Sequence, residues 1–257
     1  MNALTKTDAN IPKARLELVK GGIFFYPCAL YDTIQVLAVF SSFVDTFIFC
    51  DLNYPVGMKL CTPFGPRTGF KLDKRILMGD PNSELRELNG HREIEPSTLS
   101  ELYKDETIDQ HLTIKRRRGF AQYGLLEMPP KSISVFMHRG DSPGECGSNV
   151  YFLADCNSDH EPCSHLLTKL TERLKDHAIV LSDGSNTRIR QLKEFHHQNI
   201  SGAEAYSKLK DRPFTRNGFT WSCIGYLDNK YGPTLAWGLI LKVVNSDSLR
   251  IPSNRKV

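Results

Sequence analysis

The most constraining feature of this chain is the stretch from residue 21 to 54. Two short runs are apolar on both faces, IFFYPCA from Ile23 and TFIFC from Thr46. Between them lies LYDTIQVLAVFSSFV, where Ile34, Leu37, Ala38 and Phe40 recur near helical spacing. A strand without a polar face must be covered on both sides, which is the situation of a parallel strand between helix layers. A short helical crossover also obliges the strands it joins to be parallel neighbours. The expected fold class is therefore α/β: a mostly parallel twisted sheet with helices on both faces.

Further along, SISVFMH (132–138) and HAIVLS (177–182) repeat the buried-strand pattern. HLLTKLTERLKD, at about 165–176, places Leu166, Leu167, Leu170 and Leu174 on one helical face. GAEAYSKLK predicts a helix at about 202–210, and 219–243 reads as an antiparallel hairpin with Asp228, Asn229 and Gly232 at its turn. Residues 13–20 read as a short helix or strand. Residues 1–20 read as an N-terminal arm and 21–257 as a single domain with a loop-rich insertion at about 55–130. In that insertion SELRELNG and PSTLSELYKD suggest short helices, Ser97 capping the second, and 111–128 suggests two strands around Gly119.

Four of the expected strands end in polar or small residues. The first ends in Tyr26-Pro27-Cys28, with Asp32 just beyond, and the second in Asp51-Leu52-Asn53-Tyr54. The third ends in His138-Arg139-Gly140-Asp141, and the fourth in Ser182-Asp183-Gly184-Ser185-Asn186. Parallel strands deliver their carboxyl ends to one edge, where α/β sheets bind ligands. Turn chemistry alone also puts polar residues there. Tyr26, Asp32, Asp51, Asn53, Asp183 and Ser185 are thus candidate cofactor-binding residues. The loop from Arg139 to Asn149 carries three glycines after Arg139, so its backbone can cradle an anion while Arg139 supplies a forked donor. Asp141 and Glu145 are the candidate general bases.

In element order the chain resembles the class I S-adenosylmethionine-dependent methyltransferases: IFFYPCA, then IFCD, then SISVFMHRGD, a helix, HAIVLSDGSN and the closing hairpin. The resemblance implies S-adenosylmethionine as cofactor, Asp51 on its ribose, Asp32 ordering the first loop, and Asp141 or Glu145 accepting a proton during methyl transfer. The first loop, Tyr26 to Asp32, contains no glycine, which favours a non-catalytic binding or interaction module of the same fold. The clustered acids favour an enzyme, and a nucleotide-type ligand-binding protein with its site at this edge is the other form of the leading reading.

Other groupings are weaker. Cys156, His160, Cys163 and His165 fall within ten residues, but their spacing is unlike the usual zinc sites and no metal is expected. Lys115-Arg116-Arg117-Arg118 near Phe120 and Tyr123 suits nucleic-acid binding through 115–123. With 33 basic against 29 acidic residues, a net charge of +4, a solvated hairpin edge is the favoured reading of that run. The expected partner is a small-molecule or nucleotide-like ligand, with nucleic acid less favoured. The sequence has no GxxxxGK followed by Ser or Thr, no HExxH and no GxSxG, which argues against P-loop, zinc-protease and α/β-hydrolase chemistry. A polar N-terminus and the lack of a membrane-length apolar run predict a cytoplasmic chain without a membrane partner. Seven irregularly spaced cysteines predict reduced thiols.

Overall fold

A computed structural model describes residues 9–29, 33–52, 54, 70–88, 91–105, 109–139, 152–154, 165–196, 198–229 and 232–242. In chain order the elements are β1 (Ala9–Asn10), α1 (Lys13–Leu18), β2 (Gly22–Pro27), α2 (Ile34–Phe40), β3 (Val44–Asp51), β4 (Lys71–Met78), β5 (Arg86–Leu88), β6 (His91–Glu93), β7 (Ser97–Asp105) and β8 (Gln110–Arg118). They continue as α3 (Ala121–Leu126), β9 (Ile133–His138), α4 (Leu166–Arg173), β10 (Leu174–Ser182), α5 (Arg190–Lys193), α6 (Gly202–Leu209), β11 (Phe214–Arg216), β12 (Phe219–Asn229) and β13 (Gly232–Leu241).

All strands but β5 and β6 join one 11-stranded sheet, ordered β1-β12-β13-β10-β9-β2-β3-β8-β7-β4 with β11 on β12. The strands expected to be parallel neighbours are so: β3, β2, β9 and β10 run side by side in one direction. β8 extends them, pairing parallel to β3. The expected hairpin forms as β12 and β13.

The fold class nevertheless needs correction. Four pairings in the sheet are parallel and six antiparallel. The sheet is mixed and mostly antiparallel rather than mostly parallel. Helices cover only the middle of each face: the six among the described residues are at most eight residues long. The β4–β7 end of the sheet lies beyond them, and β4 is exposed along its whole length.

Four of the six antiparallel pairings join β1, β10, β11, β12 and β13 at one end of the sheet, and the insertion supplies the other two, β4–β7 and β7–β8. PSTLSELYKD forms no helix. It is the nine-residue strand β7, alternating strictly between buried and half-buried residues, with Ser97 inside it rather than capping a helix. Ser97, Leu99, Glu101, Tyr103 and Asp105 point inward, and a period of two is a strand's signature. The Ser, Glu, Lys and Asp in the run disguise it. SELRELNG supplies part of the β5–β6 hairpin rather than a helix. After β8 and the turn at Gly119 comes helix α3, where a second strand was expected. Lys13–Leu18 settles as a helix, and β10 begins at Leu174, three residues before the expected strand.

The alternating sides of the central strands build two cores. Phe25, Phe136, Val180, Trp221 and Trp237 pack with α3, α4 and α6 on one side. Phe24, Phe47, Phe49, Val135 and Ile179 pack with α1 and α2 on the other. Phe24 stacks on Phe47 at 5.1 Å and meets Phe40 of α2 edge-on, also at 5.1 Å. Gly124 lets α3 sit against β3, since a Cβ there would lie 2.7 Å from Cys50 Sγ. Cys50 and Cys223 are free and buried, whereas Cys28 is disulfide-bonded, which corrects the expectation of reduced thiols throughout. No helix among the described residues is long and apolar enough to cross a membrane.

Candidate functional site at the carboxyl edge

The chain leaves β2 toward β3 on one side and later returns to β9 on the other. Where the order reverses in this way, the connections after neighbouring strands diverge and leave a crevice beyond the strand ends. The last residues of β2, β3, β8, β9 and β10 all lie at that edge. Pro27 is level with Cys50, Asp51 with Arg118, and His138 with Ser182. The turn after β2 folds against β3. Cys28 takes a left-handed backbone, φ 60°, and its N–H donates to the Cys50 carbonyl at 2.6 Å.

On the α2 side of the edge lie Tyr26, Asp51 and Tyr54, each at most 3% exposed. Burial raises the Tyr54 hydroxyl well above its ordinary range, and the nearby Asp51 carboxylate adds to the effect. That hydroxyl has no hydrogen-bond partner.

The opposite side carries His138, the last residue of β9. It is fully buried, neither ring nitrogen has a hydrogen-bond partner, and Phe152 meets it edge-on at 5.9 Å. Burial lowers its pKa to about 4, the Asp183 carboxylate partly opposing the shift. The imidazole is therefore neutral, with one N–H to donate and one lone pair to accept.

Beyond β10 the turn is well fixed. Asp183 Oδ1 accepts from the Ser185 N–H at 2.9 Å and from the Ser185 hydroxyl at 2.5 Å. The Ser182 hydroxyl accepts from the Gly184 N–H at 3.0 Å. Gly184 has φ +82°, and a Cβ there would lie 2.4 Å from the Leu192 carbonyl, so only glycine fits. His196 Nδ1 lies 3.0 Å from the Asp183 carbonyl.

Of the residues expected to form the site, Tyr26, Asp51, Arg139, Asp183 and Ser185 come to this edge. Asp32, Asn53, Asp141 and Glu145 lie outside the described residues. The acids at the ends of β3 and β10 do not touch one another. Three strand-to-strand steps separate them, roughly 14 Å at the usual sheet spacing. His138 was named in the sequence only as part of a polar strand end. A buried histidine closing an apolar strand has no sequence pattern that separates a site residue from a core one.

The other groupings resolve differently. Among the described residues no three His, Cys, Asp or Glu gather as a metal group. Of the Cys/His quartet only His165 is described, at the start of α4. The basic run is not a solvated edge. Arg116 donates to Glu101 Oε2 at 2.7 Å, and Arg117 grips Glu127 at 2.9 and 2.5 Å. Arg118 donates to the Ser83 carbonyl at 2.6 Å. Among the described residues Lys115 makes no such bond. Glu101 also accepts from Arg75 at 2.7 Å and from the Tyr103 hydroxyl at 3.2 Å, so two guanidiniums hold one fully buried carboxylate.

No family model, curated protein or solved structure matches the chain. With no relative to support it, and with a sheet whose pairings are mostly antiparallel, the resemblance to class I methyltransferases drawn from element order is not upheld.

Proposed function

We propose that the carboxyl edge of the parallel strands binds a small polar ligand of nucleoside size. The observation that carries this reading is His138. A fully buried imidazole with neither nitrogen satisfied costs about 1–3 kcal/mol relative to an apolar side chain of similar shape. Departures of this kind from good core design gather at functional sites. The reversal of chain order beside β2 puts the histidine where α/β sheets bind ligands. The distance between the two acid-bearing strand ends favours an extended ligand. One end would give hydroxyls to Asp51, the other a donor to Asp183. Between them in strand order, on the opposite side of the sheet from Asp51, a neutral imidazole suits an uncharged hydroxyl, amide or ring nitrogen, and Arg139 follows it in the chain.

The test is a thermal-shift titration with S-adenosylmethionine, S-adenosylhomocysteine, adenosine and ATP. A ligand that binds only the folded state stabilises it by about 2.7 kcal/mol at a hundredfold excess over Kd. At least one of the four should raise Tm saturably, and Asp51→Asn and His138→Phe should each abolish or weaken the shift. No shift with any ligand, or an unchanged shift in both variants, contradicts the proposal.

A further inference from the structure

A second surface stands apart from that edge, on the outer wing of the sheet. The registers of β4, β7 and β8 fix which side chains share its outward face. Across the wing Met78, Thr98 and Arg117 form one row, Ile76, Ser100 and Lys115 the next. Lys74, Leu102 and Thr113 form a third, and Lys104 stands level with His111 beyond them. The acids of β7, Glu101 and Asp105, are buried on the opposite face, and Asp73 sits at the register irregularity of β4. Lys74 and His111 are exposed, and Lys104 and Lys115 half-buried. None of the ion pairs among the described residues involves Lys74, Lys104 or Lys115.

Three lysines outside any ion pair therefore share a face whose one carboxylate among the described rows and α3, Glu127, is bonded to Arg117. At normal strand spacing their Cα atoms lie within about 15 Å of one another. Their +3 compares with a net charge of +4 for the whole chain. Lysine on an edge strand commonly blocks strand-to-strand aggregation. That explains Lys74 on β4 but not Lys115, which lies two strands in from the edge. Beside the lysines stand the hydroxyls of Thr98, Ser100 and Thr113, and the apolar Ile76 (43% exposed) and Met78 (52%). Helix α3 lies on the same face, over Cys50 and Arg117, and carries Tyr123, 44% exposed.

We infer that this face of β4, β7 and β8 binds single-stranded nucleic acid, with Lys74, Lys104 and Lys115 on the phosphates. The open sheet supplies what a strand needs: separated cations for the backbone, hydroxyls for phosphate and sugar oxygens, and exposed apolar and aromatic groups for base faces. The arginines that the sequence offered for this role are spent inside the fold, so the binding lysines come from three different strands.

Fluorescence anisotropy with labelled oligo-U and oligo-dT of about 20 nucleotides tests this. Three phosphate contacts give a slope of about −2 in log affinity against log salt, so binding should weaken roughly 20-fold between about 50 and 200 mM salt. The triple variant Lys74→Glu, Lys104→Glu, Lys115→Glu should lose binding at least tenfold more than a triple Lys→Glu variant at Lys169, Lys193 and Lys208. The triple Lys→Gln variant at 74, 104 and 115 should show an intermediate loss should the charge reversals impair folding. Absence of oligonucleotide binding at low salt, equal losses in the two Glu variants, or binding to phosphatidylserine vesicles without oligonucleotide binding would overturn the inference.

Discussion

The central strands and the outer wing are built on different rules. β2, β3, β9 and β10 are buried on both sides, and aromatic residues fill the space between sheet and helices. The wing of β4, β7 and β8 keeps one face toward solvent. On its inner face it holds Glu101 between Arg75 and Arg116 where the centre has rings. Apolar burial is non-directional and tolerates sequence variation, whereas a buried carboxylate is stable only with its donors in place. The centre therefore supplies most of the stability, and the wing's pairing depends on a few specific bonds.

The largest expected effect comes from breaking the centre. Phe47→Ala removes a fully buried ring stacked on Phe24, and should cost about 4 kcal/mol in denaturant unfolding. A loss below about 1 kcal/mol would mean that the aromatic layer is not what holds the centre. In the wing, Glu101→Gln leaves the buried Arg116 without its counter-charge and should cost about 3 kcal/mol. The double change Glu101→Met with Arg116→Met should cost less than the single one, because no buried guanidinium is left without its counter-charge, although half-exposed Arg75 and the Tyr103 hydroxyl lose their acceptor. Equal losses would show that the network contributes by shape rather than by charge.

His138 gives a smaller effect with a defined pH window. Its folded pKa, about 4, lies below the ordinary value of 6.5, so the unfolded chain takes up the proton first on acidification. Its stabilising share is complete above pH 6.5 and is lost as pH falls toward 4. Between pH 7 and pH 4.5 the wild type should lose about 2 kcal/mol more than His138→Phe does. Parallel losses would mean that the imidazole is not neutral and buried. Smallest of all, Met78→Thr on the exposed wing face should shift stability by less than about 0.5 kcal/mol.

The same contrast explains what could be read from the sequence. IFFYPCA, TFIFC, SISVFMH and HAIVLS carry few polar residues within the strand, so their burial follows from composition, and the helical patterns between them give direction and adjacency. In PSTLSELYKD the inward positions are Ser97, Leu99, Glu101, Tyr103 and Asp105, and only two of those five are apolar. A hydrophobicity pattern cannot report a strand whose interior is satisfied by ion pairs from Arg75 and Arg116, residues 26 and 15 positions away. In the wing the helix-covered picture failed for that reason. It extended the rule of the centre to a wing whose burial depends on distant partners. Within the candidate site, Asp51 and Asp183 were legible because each follows an apolar run. His138 was not, because its distinguishing property is the lack of partners in three dimensions.

Hydrogen–deuterium exchange with and without a bound ligand from the nucleoside panel tests the central claim most directly, because it reads the edge and the wing in one experiment. Bound ligand should slow exchange at the carboxyl ends of β2, β3, β9 and β10, around Tyr26, Asp51, His138 and Asp183, and leave β4 and β7 unchanged. Protection confined to the wing, or none at any strand end under saturating ligand, would contradict the account.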